Sequence, residues 1–177
     1  MEQNIEIRLS GSGGQGLMLA ASILSTALVA EGRTVAQSQS YEPTSRGGLS
    51  RSDLVVSDGP ADYPLVTGLD YLVILDQVAV AESKDLIRDG AVIVTDSKMV
   101  TEPPKGNFRL VQLPMLETAI GLGNRRIANT IALSVLASVG KLCDRQTLEK
   151  VVTARSPKAF LDLNQDAMAR GWEMAAS

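Results

Sequence analysis

The residues with the clearest chemical potential form a glycine-rich loop near the start of the chain. Gly11, Gly13 and Gly16 have the spacing G-x-G-x-x-G, and the loop also contains Gly14 and Gln15. When this spacing joins a strand to a helix, it is typical of dinucleotide-binding domains. Glycine allows a positive φ and lets a ligand or another backbone come close, and the N–H groups at the start of the next helix favour an anion. The loop is therefore predicted either to bind an anion or to serve close strand–helix packing alone.

A second polar loop follows at residues 40–53. A proline and the pair Gly47–Gly48 interrupt it, which predicts irregular structure. Its hydroxyl groups and the two arginines Arg46 and Arg51 would suit contacts with phosphate or carboxylate groups. The alternative is a solvated connection whose arginines pair with nearby acids such as Asp53.

Alternating strand and helix patterns surround these loops. An alternating apolar run at residues 5–9 predicts a strand before the glycine loop, and the run at residues 17–30 predicts a buried helix after it. Further strands are predicted at residues 34–38, 49–57, 71–75, 91–94 and 108–113, and further helices at residues 77–88, 124–142, 144–153 and 159–175. The strand at residues 49–57 alternates in polarity, which predicts a half-exposed or edge strand.

The repeat of apolar strand, polar tip and helix predicts the α/β class, as a Rossmann-like three-layer fold with a largely parallel sheet and a helical C-terminal part. At 177 residues, the chain is predicted to be a single domain over residues 1–177. Ligands of such sheets gather at the carboxyl ends of the strands, where the sequence places Asp76, Thr95, Asp96 and Ser97. Many acids at such positions only cap helices, so both interpretations stay open.

The predicted second strand does not favour NAD. NAD sites usually carry an acid at the end of this strand to bind the ribose hydroxyls. This chain has the uncharged residues 37–40 there and no acid before Glu42. A free-standing NAD- or FAD-dependent oxidoreductase therefore remains only the alternative hypothesis.

The composition excludes several classes of function. The 17 basic and 20 acidic residues give a net charge of −3, which does not suggest a nucleic-acid partner. The chain has no histidine and one cysteine, so a Ser-His-Asp triad, an intrachain disulfide, an iron–sulfur site and a structural zinc site are excluded. Cys143 is predicted to be a plain buried thiol. We predict no catalytic residues and no metal ligands in this chain.

The N-terminal residues are polar and do not resemble a signal peptide. The longest apolar-rich run, at residues 127–139, is too short to span a bilayer. A cytoplasmic protein without membrane contact is therefore expected.

Several motifs in this order resemble the gamma subunit of the 2-oxoacid:ferredoxin oxidoreductases, a family that acts on pyruvate, ketoisovalerate, 2-oxoglutarate or indolepyruvate. The resemblance extends over essentially the whole chain. It rests on the glycine loop at residues 11–16, on Ser-Tyr-x-Pro-x-x-Arg-Gly-Gly at residues 40–48, on Ser-Arg-Ser-Asp at residues 50–53, on Asn-x-Arg-Ile-Ala-Asn at residues 124–129, and on Ala-Phe-Leu-x-Leu-Asn at residues 159–164. The family more often has glycine at the position of Glu42 and an acid at that of Thr44, which weakens the assignment of a ligand role to this loop.

The resemblance implies a subunit of an oxidoreductase that converts a 2-oxoacid and coenzyme A into an acyl-CoA and passes electrons to ferredoxin. It implies alpha, beta and ferredoxin-like delta subunits as partners, with thiamine diphosphate and iron–sulfur clusters bound in them. This chain would assemble the complex and contact coenzyme A, and overall similarity favours 2-oxoglutarate as the substrate. The residues expected to contact the cofactor are Gly11, Gly13, Gly14, Gln15, Gly16, Tyr41, Arg46, Gly47, Gly48, Arg51 and Asn129.

The apolar helices lead to two further expectations. The isolated chain is expected to be inactive, because the resemblance implies that the catalytic cofactors are bound in other subunits. It is also expected to form a homo-oligomer, because helical faces that partner subunits cover need not be polar and are exposed when those subunits are missing. A third hypothesis is a self-associating α/β scaffold whose glycines serve only packing.

Overall fold

Six strands form one sheet in the order β2-β3-β1-β4-β5-β6 in the computed structural model, which describes residues 4–42, 47–60 and 63–177. The strands are β1 (Ile5–Ser12), β2 (Thr34–Tyr41), β3 (Leu49–Ser57), β4 (Leu69–Ile74), β5 (Ile87–Asp96) and β6 (Arg109–Leu113). The helices are α1 (Leu17–Ala30), α2 (Val80–Ser83), α3 (Met115–Gly121), α4 (Ala128–Gly140), α5 (Arg145–Arg155) and α6 (Leu161–Ala176). Short 3-10 turns occur at Gln77–Ala79, Lys84–Leu86, Arg125–Ile127 and Lys158–Phe160.

The sheet is largely parallel. Strands β1, β4, β5 and β6 pair in parallel, whereas β3 is antiparallel to both β1 and β2. The parallel strands bring their carboxyl ends to one edge, next to the start of α1. The predicted α/β fold class is confirmed.

The prediction of an exposed or edge position for β3 is wrong. This strand lies between β2 and β1, and all of its residues from Ser52 to Ser57 are buried. Its polar alternation has another cause, because Asp53 is paired inside the protein with Arg8. A polar residue in a strand therefore indicates a solvent-exposed position only where no partner inside the protein compensates its burial.

The larger core lies between one face of the sheet and the helices α1 and α4. Strand residues such as Leu9, Val73 and Val94 pack there with Leu24 of α1 and Ile131 of α4. Helix α6 covers the outer side of α4, where a Cβ on Gly171 would lie 2.7 Å from the carbonyl oxygen of Ile131. Because α4 has the sheet on one side and α6 on the other, its residues 129–137 are all buried. A smaller core that includes Leu72 and Ile93 lies on the opposite face of the sheet.

The predicted helix at residues 77–88 is only partly correct. A four-residue helix between two 3-10 turns forms there, and β5 already begins at Ile87. Gly90, two residues after the end of the predicted helix, lies inside β5 with φ 82°. The β4–β5 register shifts between Leu69 and Tyr71, so extra residues of β5 interrupt the regular pairing there, and glycine adopts the positive φ at position 90 at little cost. Helix α3 is absent from the sequence-based prediction, because seven residues after a proline give too short a pattern to detect.

In the part of the chain that the structure describes, no helix is both long and apolar enough to cross a membrane.

Candidate functional site

A cavity of about 270 Å³ opens at the carboxyl ends of β1, β4 and β5. The glycine loop forms one wall, the ends of β4 and β5 form the floor, and the residues that precede α4 form another wall. The cavity is lined by Ser12, Gly13, Gly14, Gln15, Leu75, Asp76, Asp96, Met99, Leu116, Arg125, Arg126 and Ala128. The glycine loop therefore lies at the edge of the sheet where α/β proteins bind ligands.

The two loops predicted from the sequence are in direct contact. The N–H group of Gly13 donates a hydrogen bond to the carbonyl oxygen of Gly48 over 2.8 Å. Gly47, directly before it, has φ 82°, a left-handed conformation that favours glycine. Gly48 thus supports the glycine loop from the side of β3.

The side chain of Gln15 occupies the space above Gly11. Its Oε1 accepts a hydrogen bond from the N–H group of Ser12 (2.8 Å), and its Nε2 donates to the carbonyl oxygen of Leu75 (3.1 Å). A Cβ on Gly11 would overlap Oε1 of Gln15. The close approach that glycine permits at position 11 is therefore used by a protein side chain that joins the ends of β1 and β4.

Gly16 permits a second close contact within the protein. It precedes α1 with φ 74°, and a Cβ there would overlap the side-chain amide of Asn129. That amide donates a hydrogen bond to the carbonyl oxygen of Gly16 over 3.1 Å, while its oxygen accepts one from the N–H group of Thr130 over 2.7 Å. Asn129 thus ties the start of α4 to the start of α1.

Gly14 differs from its neighbours in the loop. It has φ 90°, it lines the cavity, and among the described residues, its chain neighbours aside, no atom lies within 4 Å of the position that a Cβ would occupy. The packing interpretation therefore explains Gly11 and Gly16, whereas no described side chain packs on Gly14.

The two acids predicted at the strand ends line the cavity and also hold the backbone. Asp96 accepts hydrogen bonds from the N–H groups of Lys98 (2.9 Å), Met99 (2.9 Å) and Leu116 (2.6 Å). Asp76 accepts one from the N–H group of Val78 over 3.2 Å, at the start of a 3-10 turn. Both acids thus have the capping role that was the alternative interpretation.

Arg125 and Arg126 form the cationic wall of the cavity, and sequence reasoning did not assign them to a site. Both are exposed, and neither has an acidic partner within 4.0 Å among the residues that the structure describes. Asn124 begins their 3-10 turn by accepting a hydrogen bond from the N–H group of Arg126 over 3.0 Å. Their position directly before the apolar run of α4 could have indicated this role. In this fold, helices begin near the edge of the sheet where ligands bind.

Two of the described second-loop residues predicted to contact the cofactor, Arg51 and Tyr41, do not line the cavity. Arg51 pairs with Glu82 of α2 and lies 3.9 Å from Asp53, which matches the alternative of local ion pairing. Tyr41 is 66% exposed at the end of β2 and does not line the cavity. Arg46 lies outside the described residues.

A buried ion pair joins β1 to β3 beneath the site. The guanidinium group of Arg8 donates from Nε to Oδ1 of Asp53 (2.7 Å) and from Nη2 to Oδ2 (2.9 Å), and both residues are buried. This two-bond geometry satisfies the carboxylate well, and removing one partner alone would leave a buried charge. Asp53 is therefore a structural residue of the sheet.

A second charged cluster lies at the opposite edge of the sheet. Glu6 accepts hydrogen bonds from the N–H groups of Thr67 and Gly68 and from Arg88. Burial alone would raise the pKa of Glu6, but the hydrogen bonds from Gly68 and Thr67 and the charge of Arg88 outweigh it and lower the pKa from 4.5. The cluster stabilises the start of β1 and is remote from the cavity.

The described residues contain no group of three or more His, Cys, Asp or Glu side chains that could hold a metal ion. Cys143 is buried, as predicted. Burial, with smaller contributions from the charges of Glu31 and Asp144, raises the pKa of its thiol to about 12. This thiol is therefore protonated at neutral pH and a poor nucleophile.

Known proteins match this chain over nearly all of its length. Residues 6–174 match the family model described as pyruvate ferredoxin/flavodoxin oxidoreductase. The 2-oxoglutarate synthase subunit KorC of Methanocaldococcus jannaschii is 35% identical over 174 residues, which cover 96% of this chain and 93% of the relative.

Two solved structures share the fold. The gamma subunit of a keto/oxoacid ferredoxin oxidoreductase from Geobacter sulfurreducens matches with a TM-score of 0.89 and 38% identity, over 98% of this chain and 97% of that chain. The 2-oxoglutarate:ferredoxin oxidoreductase from Magnetococcus marinus, with 2-oxoglutarate, coenzyme A and succinyl-CoA bound, has a TM-score of 0.87. It is 21% identical and covers 99% of this chain and 32% of that chain, so this match supports the fold alone.

Proposed function

The chain belongs to the pyruvate ferredoxin/flavodoxin oxidoreductase family, and from this premise we propose that it is the gamma subunit of a 2-oxoglutarate:ferredoxin oxidoreductase. The resemblance predicted from the motifs is confirmed at the level of the family. The observation that carries the finer assignment is the 35% identity to a 2-oxoglutarate synthase subunit over almost the full length of both chains. The proposed location is the cytoplasm, and the proposed partners are the alpha, beta and ferredoxin-like delta subunits.

The proposed reaction of the whole complex is oxidative decarboxylation. The bond between C1 and C2 of 2-oxoglutarate breaks and releases carbon dioxide, and the sulfur of coenzyme A forms a thioester with C2 to give succinyl-CoA. The electron pair from the C1–C2 bond passes to oxidised ferredoxin, and the thiol proton is released. Thiamine diphosphate, bound in partner subunits, would supply the carbanion stabilisation that such a cleavage needs, and iron–sulfur clusters there would supply the electron transfer.

The residues of this chain favour a supporting role in that reaction. An iron–sulfur cluster takes several cysteine ligands, whereas this chain has a single, buried cysteine. The absence of histidine removes the commonest general acid or base. We therefore assign thiamine diphosphate and the clusters to partner subunits, and assembly of the complex to this chain.

We also propose that this chain contributes a wall of the coenzyme A site. The part that faces a ligand comprises Gly13, Gly14 and Gln15, at the edge of the sheet where the cavity opens. Ligand pockets for drug-sized molecules start at about 300 Å³, so a cavity of about 270 Å³ holds only part of coenzyme A. The remainder of the ligand would lie against a partner subunit.

The local geometry counts against the alternative of a free-standing NAD- or FAD-dependent enzyme. Gln15 fills the space above Gly11, and β2 ends in uncharged polar residues before Tyr41. Moreover, the antiparallel strand β3 separates β2 from β1, so the end of β2 is not adjacent to the glycine loop as it is in a dinucleotide-binding βαβ unit.

The decisive experiment is reconstitution with partner subunits. This chain, carrying the affinity tag, is co-expressed with the alpha, beta and delta subunits, and the purified complex is assayed for ferredoxin reduction with 2-oxoglutarate, pyruvate or 2-ketoisovalerate. We expect coenzyme A-dependent activity with the highest kcat/KM for 2-oxoglutarate, and none from the isolated chain. Preference for another 2-oxoacid would correct the substrate, whereas tight NAD binding by the isolated chain and failure to assemble would overturn the proposal.

A further inference from the structure

We propose that Arg125 and Arg126, facing the glycine loop across the cavity, form a subsite for a phosphate or diphosphate group of the ligand. This inference rests on the proposed function, because coenzyme A is then the ligand that carries these groups. It differs from the sequence-based expectation, which gave that role to Arg46 and Arg51.

The position of the two arginines is unfavourable for the fold alone. They lie in the 3-10 turn that runs directly into α4, and the first turn of α4 contains no acidic residue. The N-terminal end of a helix carries a partial positive charge, so a cation there is destabilising and an anion is stabilising. Two adjacent cations at this end do not stabilise the helix, and an anionic ligand would explain their presence.

Within residues 4–42, 47–60 and 63–177, the other charged groups around the cavity do not compensate these cations. Asp96 is buried, and its two oxygens accept hydrogen bonds from three backbone N–H groups. Neither Asp76 nor Asp96 forms an ion pair with Arg125 or Arg126 within 4.0 Å among the described residues. By contrast, Arg8, Arg51 and Arg88 each have an acidic partner.

The opposite wall offers space and N–H groups. No described side chain occupies the position of a Cβ on Gly14, and α1 begins at the end of this loop without a side-chain cap. Uncapped N–H groups at a helix start favour an anion. An anion here would therefore contact guanidinium groups on one side and the glycine loop on the other, and the limited volume suits a phosphate or diphosphate group more than a whole coenzyme.

The test compares the reconstituted wild-type complex with the variant Arg125→Gln/Arg126→Gln. The matched control is Arg109→Gln, since Arg109 is also an exposed arginine but begins β6, at the opposite edge of the sheet. Binding of coenzyme A and of inorganic pyrophosphate is measured by calorimetry, and thermal unfolding of each isolated chain gives its Tm. Because the double variant loses the charge-assisted hydrogen bonds from both guanidinium groups to the anion, we expect it to bind both probes at least about tenfold more weakly. Its Tm should be unchanged or higher, and the control should bind like the wild type.

Unchanged affinity in the double variant, or an equal loss in Arg109→Gln, would overturn the inference, and so would weaker binding together with a lower Tm. Absence of 2-oxoglutarate oxidation by the wild-type complex would instead contradict the proposed function. In that case, the difference in pyrophosphate affinity between the wild-type complex and the double variant still tests the arginine subsite. A wild-type complex that binds neither probe overturns the subsite as well.

Discussion

The side-chain amide of Asn129 donates a hydrogen bond to the carbonyl oxygen of Gly16 over 3.1 Å, and this contact joins the first turn of α4 to the residue that precedes α1. It fixes the relative position of the two helix starts that border the cavity. Because Asn129 is 8% exposed, water competes little for this hydrogen bond. The architecture of the site therefore depends on a glycine and an asparagine that are far apart in the sequence.

The contact between Asn129 and Gly16 predicts unequal costs for two glycine substitutions. Gly14→Ala and Gly16→Ala both place a side chain at positive φ, with φ 90° and 74°, which costs roughly 1–2 kcal/mol. Only Gly16→Ala also overlaps Asn129. We expect Gly16→Ala to lower the free energy of unfolding in urea clearly more than Gly14→Ala. Equal losses would contradict the role of this contact.

The bridge formed by Gln15 predicts that the effects of substitutions at positions 11 and 15 are coupled. Gly11→Ala alone is expected to be destabilising, because the new Cβ overlaps Oε1 of Gln15. Gln15→Ala removes the hydrogen bonds to Ser12 and Leu75, at about 0.5–1.5 kcal/mol each. In the Gln15→Ala background, adding Gly11→Ala should cost less than it does in the wild type. A double-mutant cycle in urea measures this coupling, and strictly additive losses would argue that the two residues do not share this space.

Features that depend on one segment of the chain are visible in the local sequence pattern, whereas features that depend on distant partners are not. The glycine loop, α1 and the strand ends were predictable, because residue type and periodicity along one segment determine them. The internal position of β3 was not, because the partner of Asp53 is Arg8, 45 residues away. The cationic wall was missed for the same reason. Arg125 and Arg126 reach the cavity because α4 starts beside α1, a placement secured by a contact that spans 113 residues.

The charged cluster around Glu6 predicts a specific dependence of stability on pH. Its pKa is lower in the folded protein than the ordinary value of 4.5, so its contribution is fully present above that value and is lost as the pH falls through the folded-state pKa. We expect Glu6→Gln to be less stable than the wild type at pH 7 and the difference to shrink as the pH falls below 4.5. Urea unfolding at several pH values measures this difference. Glu102→Gln, at an exposed position, is the control, and a difference between Glu6→Gln and the wild type that is independent of pH would contradict the assignment.

The raised pKa of Cys143 predicts a thiol that does not react in the folded protein. Since its pKa is about 12, the thiolate fraction at pH 8 is very small, and burial also blocks access of the reagent. We expect alkylation by iodoacetamide to be undetectable in the native chain and complete in urea. Ser97→Cys, which places a second thiol at an exposed position, should be alkylated in the native state at that position alone. Rapid modification of native Cys143 would show that this region opens.

Exposed apolar side chains predict how the isolated chain associates. Leu19 on α1 and Phe160 before α6 are 49% and 47% exposed, and both line one groove of about 230 Å³. Without partner subunits, water contact with this groove is unfavourable, so a second copy is expected to cover it. Light scattering should show an oligomer for the wild type and a shift towards monomer for Leu19→Lys/Phe160→Lys. Val29→Lys is the control, because Val29 is 54% exposed at the other end of the same helix and does not line the groove. A wild-type monomer, or dissociation by Val29→Lys alone, would refute association through this groove.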